Sequence, residues 1–168
     1  MQQLFATKTA LFLVPLASLT ALALAFIGQY GFALQPCILC IYQRWPFAIA
    51  ATLCLVAFSP WVRPAALWLL LLSALVLAVN AGIAVHHVGV EQYWWIGSEA
   101  CVGPGAGTPQ TLAELRAQIM ATPITRCDDV AFSLFGVSMA GYNVLFSAGL
   151  ACYAGLAAKI GFGNRHRQ

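Results

Sequence analysis

The chain has 168 residues, of which 61% are hydrophobic and only 8% are charged. Soluble domains carry about 25% charged residues, so the composition excludes a soluble globular protein and indicates an integral membrane protein. The net charge of +3 does not indicate nucleic-acid binding, because the basic residues cluster beside predicted membrane spans.

Four segments are apolar over the roughly 20 residues needed to cross a bilayer. They cover about residues 10–29, 41–58, 65–85 and 140–158. We therefore predict an all-α membrane protein, in which residues 1–168 form a single domain built on a four-transmembrane-helix bundle. The first segment imitates a signal peptide, but its apolar run exceeds the usual 7 to 15 residues. We expect it to stay as an uncleaved first span.

The distribution of charge predicts the orientation in the membrane. One side carries the basic residues Lys8, Arg63, Lys159, Arg165 and Arg167. The other side carries all five acidic residues, with only Arg44, Arg116 and Arg126. Cytoplasmic loops are enriched in Lys and Arg. Both termini are therefore predicted to be cytoplasmic, with outer loops over about residues 30–40 and 86–139.

Small residues recur at every fourth position in two of the spans. They are Ala17, Ala21 and Ala25 in the first span and Ser147, Ala151 and Gly155 in the fourth. This spacing favours close approach of helix backbones in lipid, although alanine is also simply common in such helices.

A Cys-x-x-Cys pair stands at the entry of the second span, within the stretch Pro36-Cys-Ile-Leu-Cys-Ile-Tyr-Gln-Arg-Trp-Pro46. A helix that begins near Pro36 places Cys37, Cys40 and Arg44 on one face. A helix N-terminus and a cation both favour the reactive thiolate. The pair is predicted to be redox-active, with an inert disulfide or half of a metal site as alternatives. Pro46 should bend the helix just below the pair, because its ring removes a backbone hydrogen bond.

The third span ends in His86-His87, followed by the aromatic run Tyr93-Trp-Trp95. Tyrosine and tryptophan are enriched at the membrane interface, so this run is expected to lie along the surface. The histidines are either ordinary interfacial residues or include one that hydrogen-bonds a ligand at the bilayer boundary.

Two more cysteines, Cys101 and Cys127, lie in the second outer loop. Between them, a glycine-rich hinge precedes a possible capping box of Thr111 and Glu114, and a short surface-lying helix is predicted to end near Pro123. A Cys101–Cys127 disulfide would either rigidify this loop or remain exchangeable with an external thiolate. Sequence alone leaves all three pairings of the outer cysteines open, and Cys54 and Cys152 are interpreted as small packing residues within spans.

Two outward dithiol pairs permit exchange of disulfides between the loops. The chain contains no cysteine spacing typical of an iron–sulfur cluster and no haem attachment motif. The electrons are therefore expected to leave to a lipid-soluble two-electron acceptor, for which a membrane quinone is the best match. Arg44 would stabilise negative charge on the ring oxygens.

The Cys37-x-x-Cys40 motif with Tyr42-x-Arg44, four spans, the two loop cysteines and the segment Ser133–Asn143 together resemble the DsbB family. The resemblance implies a bacterial inner-membrane protein that reoxidises the periplasmic thiol oxidase DsbA and passes electrons to ubiquinone or menaquinone.

The resemblance also implies a role for each site residue. Cys101 would form the mixed disulfide with the partner, and Cys127 would then engage Cys37. Cys40 would face the quinone, which Arg44 contacts and near which His87 lies. Gln43 departs from the glutamate that the best-known members carry before the arginine.

Two other classes of function remain as alternatives. One is a structural tetraspan protein whose outer disulfides are inert. The other is a small metal-handling transporter that uses cysteine and histidine.

Overall fold

Long helices dominate the protein, which the computed structural model describes over residues 7–98, 101, 111–114, 116 and 125–165. Helix α1 covers Thr7–Gly31, α2 Ile38–Tyr42, α3 Arg44–Val56, α4 Ala66–Glu91 and α5 Met139–Arg165. A 3-10 turn, Arg63–Ala65, precedes α4. Within these described residues, four segments, with α2 and α3 counted as one, are long and apolar enough to cross a membrane.

The four helical segments overlap the four predicted spans, so the expected helical membrane fold is confirmed. Helices α1, α4 and α5 extend beyond the predicted apolar runs, whereas the second segment ends at Val56, before the predicted residue 58. Helix α4, for example, runs on to Glu91 beyond the predicted end at residue 85, and Glu91 is buried there.

The core is formed largely by small side chains between α4 and α5, with α1 and α3 packed around them. Leu70 and Leu77 of α4 are fully buried, together with Ala154 and Ala157 of α5. Gly161 of α5 leaves room for the Leu67 side chain of α4, because an added Cβ would overlap that side chain. Dispersion contacts between closely approaching backbones replace the hydrophobic driving force that lipid does not supply.

Of the two predicted small-residue stripes, only one lies in this core. Ser147 and Ala151 of α5 are buried, as the every-fourth pattern predicted. The buried face of α1 consists instead of Ala10, Leu11, Val14, Pro15 and Ser18. The predicted α1 stripe is half-buried because it borders open grooves beside the bundle.

The second span is interrupted at Gln43, between α2 and α3. Pro46 has no N–H to donate to the carbonyl of Tyr42, which loses its helical hydrogen bond. The predicted disturbance of the helix just below the cysteine pair is therefore confirmed, in the form of a break at Gln43.

Two basic residues that the charge count assigned to the same side of the membrane, Arg63 and Arg165, lie at the same end of the bundle. The Arg165 guanidinium donates to the carbonyl of Pro64 from both terminal nitrogens, at 3.3 and 3.2 Å. Residue Arg63, at the start of the 3-10 turn, therefore lies near the end of α5. On the lipid-facing surface, large apolar side chains such as Leu24, Leu75 and Leu145 are exposed.

Two features of the long loop appear in the described residues. The capping box is confirmed, since Thr111 N–H donates to Glu114 Oε2 and Glu114 N–H donates to Thr111 Oγ1, each at 3.2 Å. Residues 112–114 and 116 are helical, while the glycine hinge and the rest of the predicted helix lie outside the described residues. The sequence analysis missed a short hairpin of β1, Ser133–Leu134, and β2, Val137–Ser138.

The hairpin turn has positive φ at both central residues, 51° at Phe135 and 78° at Gly136. These values are typical of a type I′ turn, which matches the twist of paired strands. The signal was weak in the sequence because such turns favour Asn-Gly, and phenylalanine rarely adopts this conformation.

The aromatic run after α4 folds back onto that helix. Trp95 Nε1 donates to the carbonyl of His86 at 3.0 Å, and the two rings stack with centroids 5.5 Å apart. The indole lies directly over Gly89, where an added Cβ would be 2.0 Å from a ring carbon. Glycine is therefore required at position 89 for this packing.

We predict that Gly89→Ala displaces the Trp95 indole and destabilises the protein by about 1 to 3 kcal/mol, the usual cost of overpacking. Tryptophan emission and thermal unfolding in detergent measure both effects. Gly82→Ala is the matched control, because an added Cβ at that helix position meets nothing within 4 Å. Identical emission and melting temperature for the two variants would show that the indole does not rest on Gly89.

Candidate redox site

The Cys-x-x-Cys pair lies at the start of α2, with Cys37 as the N-cap. The helix begins at Ile38, so Pro36 precedes the cap and is not the first helical residue. Cys37 Sγ accepts a hydrogen bond from the Cys40 N–H at 3.3 Å, and the two sulfurs are 3.0 Å apart. The two sulfurs are therefore in direct contact at the start of the helix.

The two loop cysteines are packed against this pair. Cys101 and Cys127 are buried in one cluster with Cys37, Leu39 and Val90. The Cys127 N–H donates to the Cys101 carbonyl at 3.1 Å, and the Cys127 thiol is hydrogen-bonded to the Cys101 side chain and to the Leu39 backbone. All four outer cysteines are thus brought together, and each is a free thiol in this structure.

Burial and mutual hydrogen bonding oppose ionisation of two of these thiols. The hydrogen bond to Cys40, followed by burial, raises the pKa of Cys37 to about 12. Burial, with the hydrogen bond to Cys101, raises the pKa of Cys127. The Cys37 thiol therefore resists ionisation, because it donates to Cys40 from a site with little water, and these two effects outweigh the influence of the helix N-terminus.

The Arg44 guanidinium turns toward α1. Nη1 donates to Gln29 Oε1 at 2.6 Å, and the guanidinium carbon lies 5.0 Å from the centroid of the Phe26 ring. The expected common face of Arg44 and the two sulfurs is altered by the break at Gln43. Arg44 and Cys40 instead meet at the wall of one cavity.

This cavity, which we call the lateral cavity, lies between α1, α3 and α5 and encloses about 390 Å³. Most of its wall is apolar. Its polar lining includes Cys40, Gln43, Arg44 and Asn143, and its apolar lining includes Leu22, Ala25, Phe47, Ala140 and Phe146. An apolar enclosure with a few convergent polar groups is typical of a site for a small, largely apolar ligand.

His87 is buried on the other side of the cysteine pair. Its Nε2 is 3.5 Å from Cys37 Sγ and 3.8 Å from Glu91 Oε1, and its Nδ1 is 3.1 Å from Gln43 Nε2. His87 is not among the residues that line the lateral cavity. The structure thus brings Arg44 to the cavity and His87 to Cys37, while the neighbouring His86 is exposed.

Sequence analysis missed several polar residues that lie near the pair or are hydrogen-bonded to its neighbours. Asn80, Glu91, Ser138 and Asn143 are buried or half-buried, and Gln43 was noticed only as a departure from the family. One signal for them was present in the sequence. Asn80 lies within an apolar span and Asn143 near the start of another, and polar residues in membrane helices usually face a partner or a site.

The remaining cysteines have different surroundings. Cys54 is buried against Ser73, with Sγ and Oγ 3.4 Å apart, as expected of a packing residue. Cys152 is exposed on the outer surface of the bundle, so the prediction that it packs in the interior is wrong. A set of three potential metal ligands, Cys37, Cys40 and His87, has its donor atoms within 4.8 Å of one another.

A protein-family model described as Disulfide bond formation protein DsbB matches residues 7–157. The chain belongs to the DsbB family. A protein from Xanthomonas euvesicatoria pv. vesicatoria named Disulfide bond formation protein B is 30% identical over 150 residues, which cover 86% of this chain and 87% of the relative. A protein of the same name from Xylella fastidiosa (strain 9a5c) is 28% identical over 153 residues, covering 88% and 85%.

A protein of that name from Herminiimonas arsenicoxydans is 39% identical over 91 residues, covering 52% of this chain and 54% of the relative. No solved structure matches the chain. Membership of the DsbB family implies a disulfide oxidoreductase activity, and the four span-forming helices fit a multi-pass membrane protein.

We predict that Cys37 of the fully reduced protein is alkylated slowly. A thiol with a pKa of about 12 carries roughly 1000-fold less thiolate at pH 8 than one with a pKa of 9. Because the pKa is raised, the rate should keep rising tenfold per pH unit beyond pH 9, where an ordinary thiol levels off. Iodoacetamide labelling followed by peptide mass spectrometry measures each site, and a Cys37 rate that levels off near pH 9 would contradict the assignment.

Proposed function

We propose that this protein reoxidises a periplasmic DsbA-type thiol oxidase and passes the electrons to a membrane quinone, either ubiquinone or menaquinone. In this proposal Cys37, Cys40, Cys101 and Cys127 are the catalytic residues. The observation that carries it is the position of Cys40, whose sulfur is next to Cys37 and also borders the lateral cavity. The Cys37–Cys40 pair therefore connects the loop cysteines with a site for an apolar acceptor.

The first half of the proposed reaction is a series of disulfide exchanges. A thiolate of the partner attacks Cys101 of the Cys101–Cys127 disulfide, and Cys127 is released. Cys127 then attacks Cys37 of the Cys37–Cys40 disulfide, and the electron pair of the broken bond stays on Cys40. The partner's second thiolate displaces Cys101 from the mixed disulfide, so the partner leaves oxidised and Cys101 becomes a thiolate. The packing of Cys101, Cys127 and Cys37 in one buried cluster supports this route, because each exchange requires direct approach of two sulfurs.

The residues of the lateral cavity fit a quinone head group. The apolar side chains would enclose the ring, while Arg44, held by Gln29, and the Asn143 amide offer donors to its oxygens. The quinone supplies a two-electron acceptor that takes up two protons on reduction. Arg44 would stabilise negative charge that develops on the ring oxygens, and the position of Cys40 at the wall would hold its sulfur against the ring.

The acceptor is required energetically. A DsbA-type partner is strongly oxidising, with a reduction potential of about −120 mV, and each 30 mV against a two-electron transfer costs about 1.4 kcal/mol. Without an acceptor, the two disulfides could take up at most two electron pairs, and the reaction would then stop. The proposed orientation, with both termini in the bacterial cytoplasm, puts the cysteine cluster on the periplasmic side where such a partner is found.

We predict that Arg44→Met slows quinone reduction about 10-fold to 100-fold, the loss expected for a hydrogen bond to a charged group worth 1.5 to 3 kcal/mol. The assay mixes purified protein, reduced partner and quinone, and follows quinone absorbance. Arg63→Met is the matched control, because Arg63 lies in the 3-10 turn between α3 and α4, away from the lateral cavity. This variant should keep the full rate. An unchanged rate for Arg44→Met would reduce Arg44 to a membrane anchor.

The same assay tests the structural alternative. If the outer disulfides are inert, mixing with the reduced partner leaves all four cysteines oxidised and the quinone absorbance constant. The proposed function requires instead that the cysteines become reduced by the partner and are reoxidised when quinone is added.

A further inference from the structure

A continuous chain of hydrogen bonds runs from the middle of the bundle to the cysteine pair. Asn80 Nδ2 donates to Ser147 Oγ at 2.9 Å, and Ser147 Oγ donates to Asn143 Oδ1 at 2.8 Å. Asn143 Nδ2 donates to Gln43 Oε1 at 2.5 Å, and Gln43 Nε2 lies 3.1 Å from His87 Nδ1. Four bonds thus join α4, α5 and the break between α2 and α3.

The direction of these bonds determines which nitrogen of His87 carries the proton. The oxygen of Gln43 accepts from Asn143, so its NH2 group is the part that faces His87. An NH2 group can only donate, and His87 Nδ1 must therefore be the unprotonated acceptor. In the neutral ring the proton is on Nε2.

The far end of the chain favours the same direction. Asn80 Oδ1 is buried without a hydrogen-bond partner in the described part of the protein. A chain running the opposite way would leave the NH2 group of Asn80 unpaired instead. A buried unpaired N–H group is rarer than an unpaired carbonyl oxygen, which indicates that it is costlier.

The surroundings of Nε2 also favour a proton there. This atom faces Cys37 Sγ at 3.5 Å and Glu91 Oε1 at 3.8 Å. Glu91 accepts a hydrogen bond from Ser138 through its other oxygen, so the carboxylate acts as an acceptor on both sides. An unprotonated Nε2 would be placed against these acceptors. A metal ion held by Cys37, Cys40 and His87 would also require an unprotonated Nε2. The directions of the hydrogen bonds therefore disfavour the metal-handling alternative.

We propose that Gln43 is a positioning residue that holds His87 as the Nε2–H tautomer, so that this N–H stabilises negative charge on Cys37 Sγ whenever Cys37 leaves a disulfide. The step in which Cys37 leaves a disulfide rests on the proposed function. The Cys101 thiolate attacks Cys127 of a Cys37–Cys127 disulfide, a Cys101–Cys127 bond forms, and the Cys37–Cys127 bond breaks. The electron pair of that bond stays on Cys37, and the step consumes no further oxidant.

Stabilisation of this leaving group addresses a difficulty of the site. A thiol of high pKa is a poor leaving group, and the hydrogen bond to Cys40 and burial raise the pKa of Cys37. The contact with His87 acts in the opposite direction. Glutamate at position 43 would offer only acceptors to His87 and would require a proton on Nδ1, so glutamine and glutamate give the imidazole opposite polarity.

Nitrogen-15 NMR of histidine-labelled protein in nanodiscs tests the tautomer without any turnover. The His87 signal is assigned by its loss in His87→Gln. We expect an unprotonated Nδ1 and a protonated Nε2 in the parent protein, and a protonated Nδ1 in Gln43→Glu. Gln92→Glu adds the same charge at an exposed position near the end of α4 and should leave the tautomer unchanged. A protonated Nδ1 in the parent protein, or no change in Gln43→Glu, overturns the proposal.

A kinetic measurement tests the consequence for Cys37. In a chain that carries Cys40→Ser and a preformed Cys37–Cys127 disulfide, reduction by dithiothreitol is followed by rapid acid quenching and alkylation. Gln43→Glu should slow release of Cys37 about 10-fold, and Gln92→Glu should not. Equal rates overturn the proposed role of Gln43, whereas a failure of quinone reduction with the Nε2–H tautomer intact would refute only the proposed acceptor.

Discussion

The arrangement of this site depends on the requirement that polar groups buried in a membrane bundle be paired. Asn80, Ser147, Asn143 and Gln43 hydrogen-bond one another in a single series that ends at His87 and leaves only Asn80 Oδ1, at its far end, without a partner in the described residues. Each unsatisfied polar group at that depth would cost several kcal/mol, so the series fixes how α4 and α5 meet the break in the second span. The position of Cys37 follows from this, because His87 contacts its sulfur.

The cysteine pair occupies the boundary between two different environments. Cys37 belongs to the buried cluster that contains Cys101 and Cys127, whereas Cys40 packs against the edge of that cluster and also borders the apolar lateral cavity. A helical spacing of three residues is enough to present two adjacent sulfurs to these two sides. The break at Gln43 then turns Arg44 toward α1, where Gln29 and Phe26 hold it at the cavity wall. The same short stretch thus contacts both the thiol chemistry and the proposed electron acceptor.

Apolar run length predicted the four helices, and the Cys-x-x-Cys motif predicted the centre of the site, because both signals are local in sequence. The partners of His87 were not predictable, since Gln43, Glu91 and Asn143 come from three separate elements and meet only after the bundle has packed. The raised pKa of Cys37 was missed for a related reason: the helix N-terminus is visible in the sequence, whereas burial and the hydrogen bond to Cys40 are not. The type I′ hairpin was missed because Phe135 is unusual in such a turn.

The convergence of the loop cysteines on the Cys37 side of the pair is the central claim, and disulfide trapping in native membranes tests it most directly. In a chain carrying Cys40→Ser, Cys54→Ala, Cys101→Ser and Cys152→Ala, mild oxidation should join Cys37 to Cys127 rapidly and nearly completely. The matched chain that keeps Cys40 and carries Cys37→Ser should form the Cys40–Cys127 bond more slowly. Equal or faster bonding of Cys40 to Cys127 would contradict the account, because it would mean that the loop approaches the sulfur assigned to the cavity.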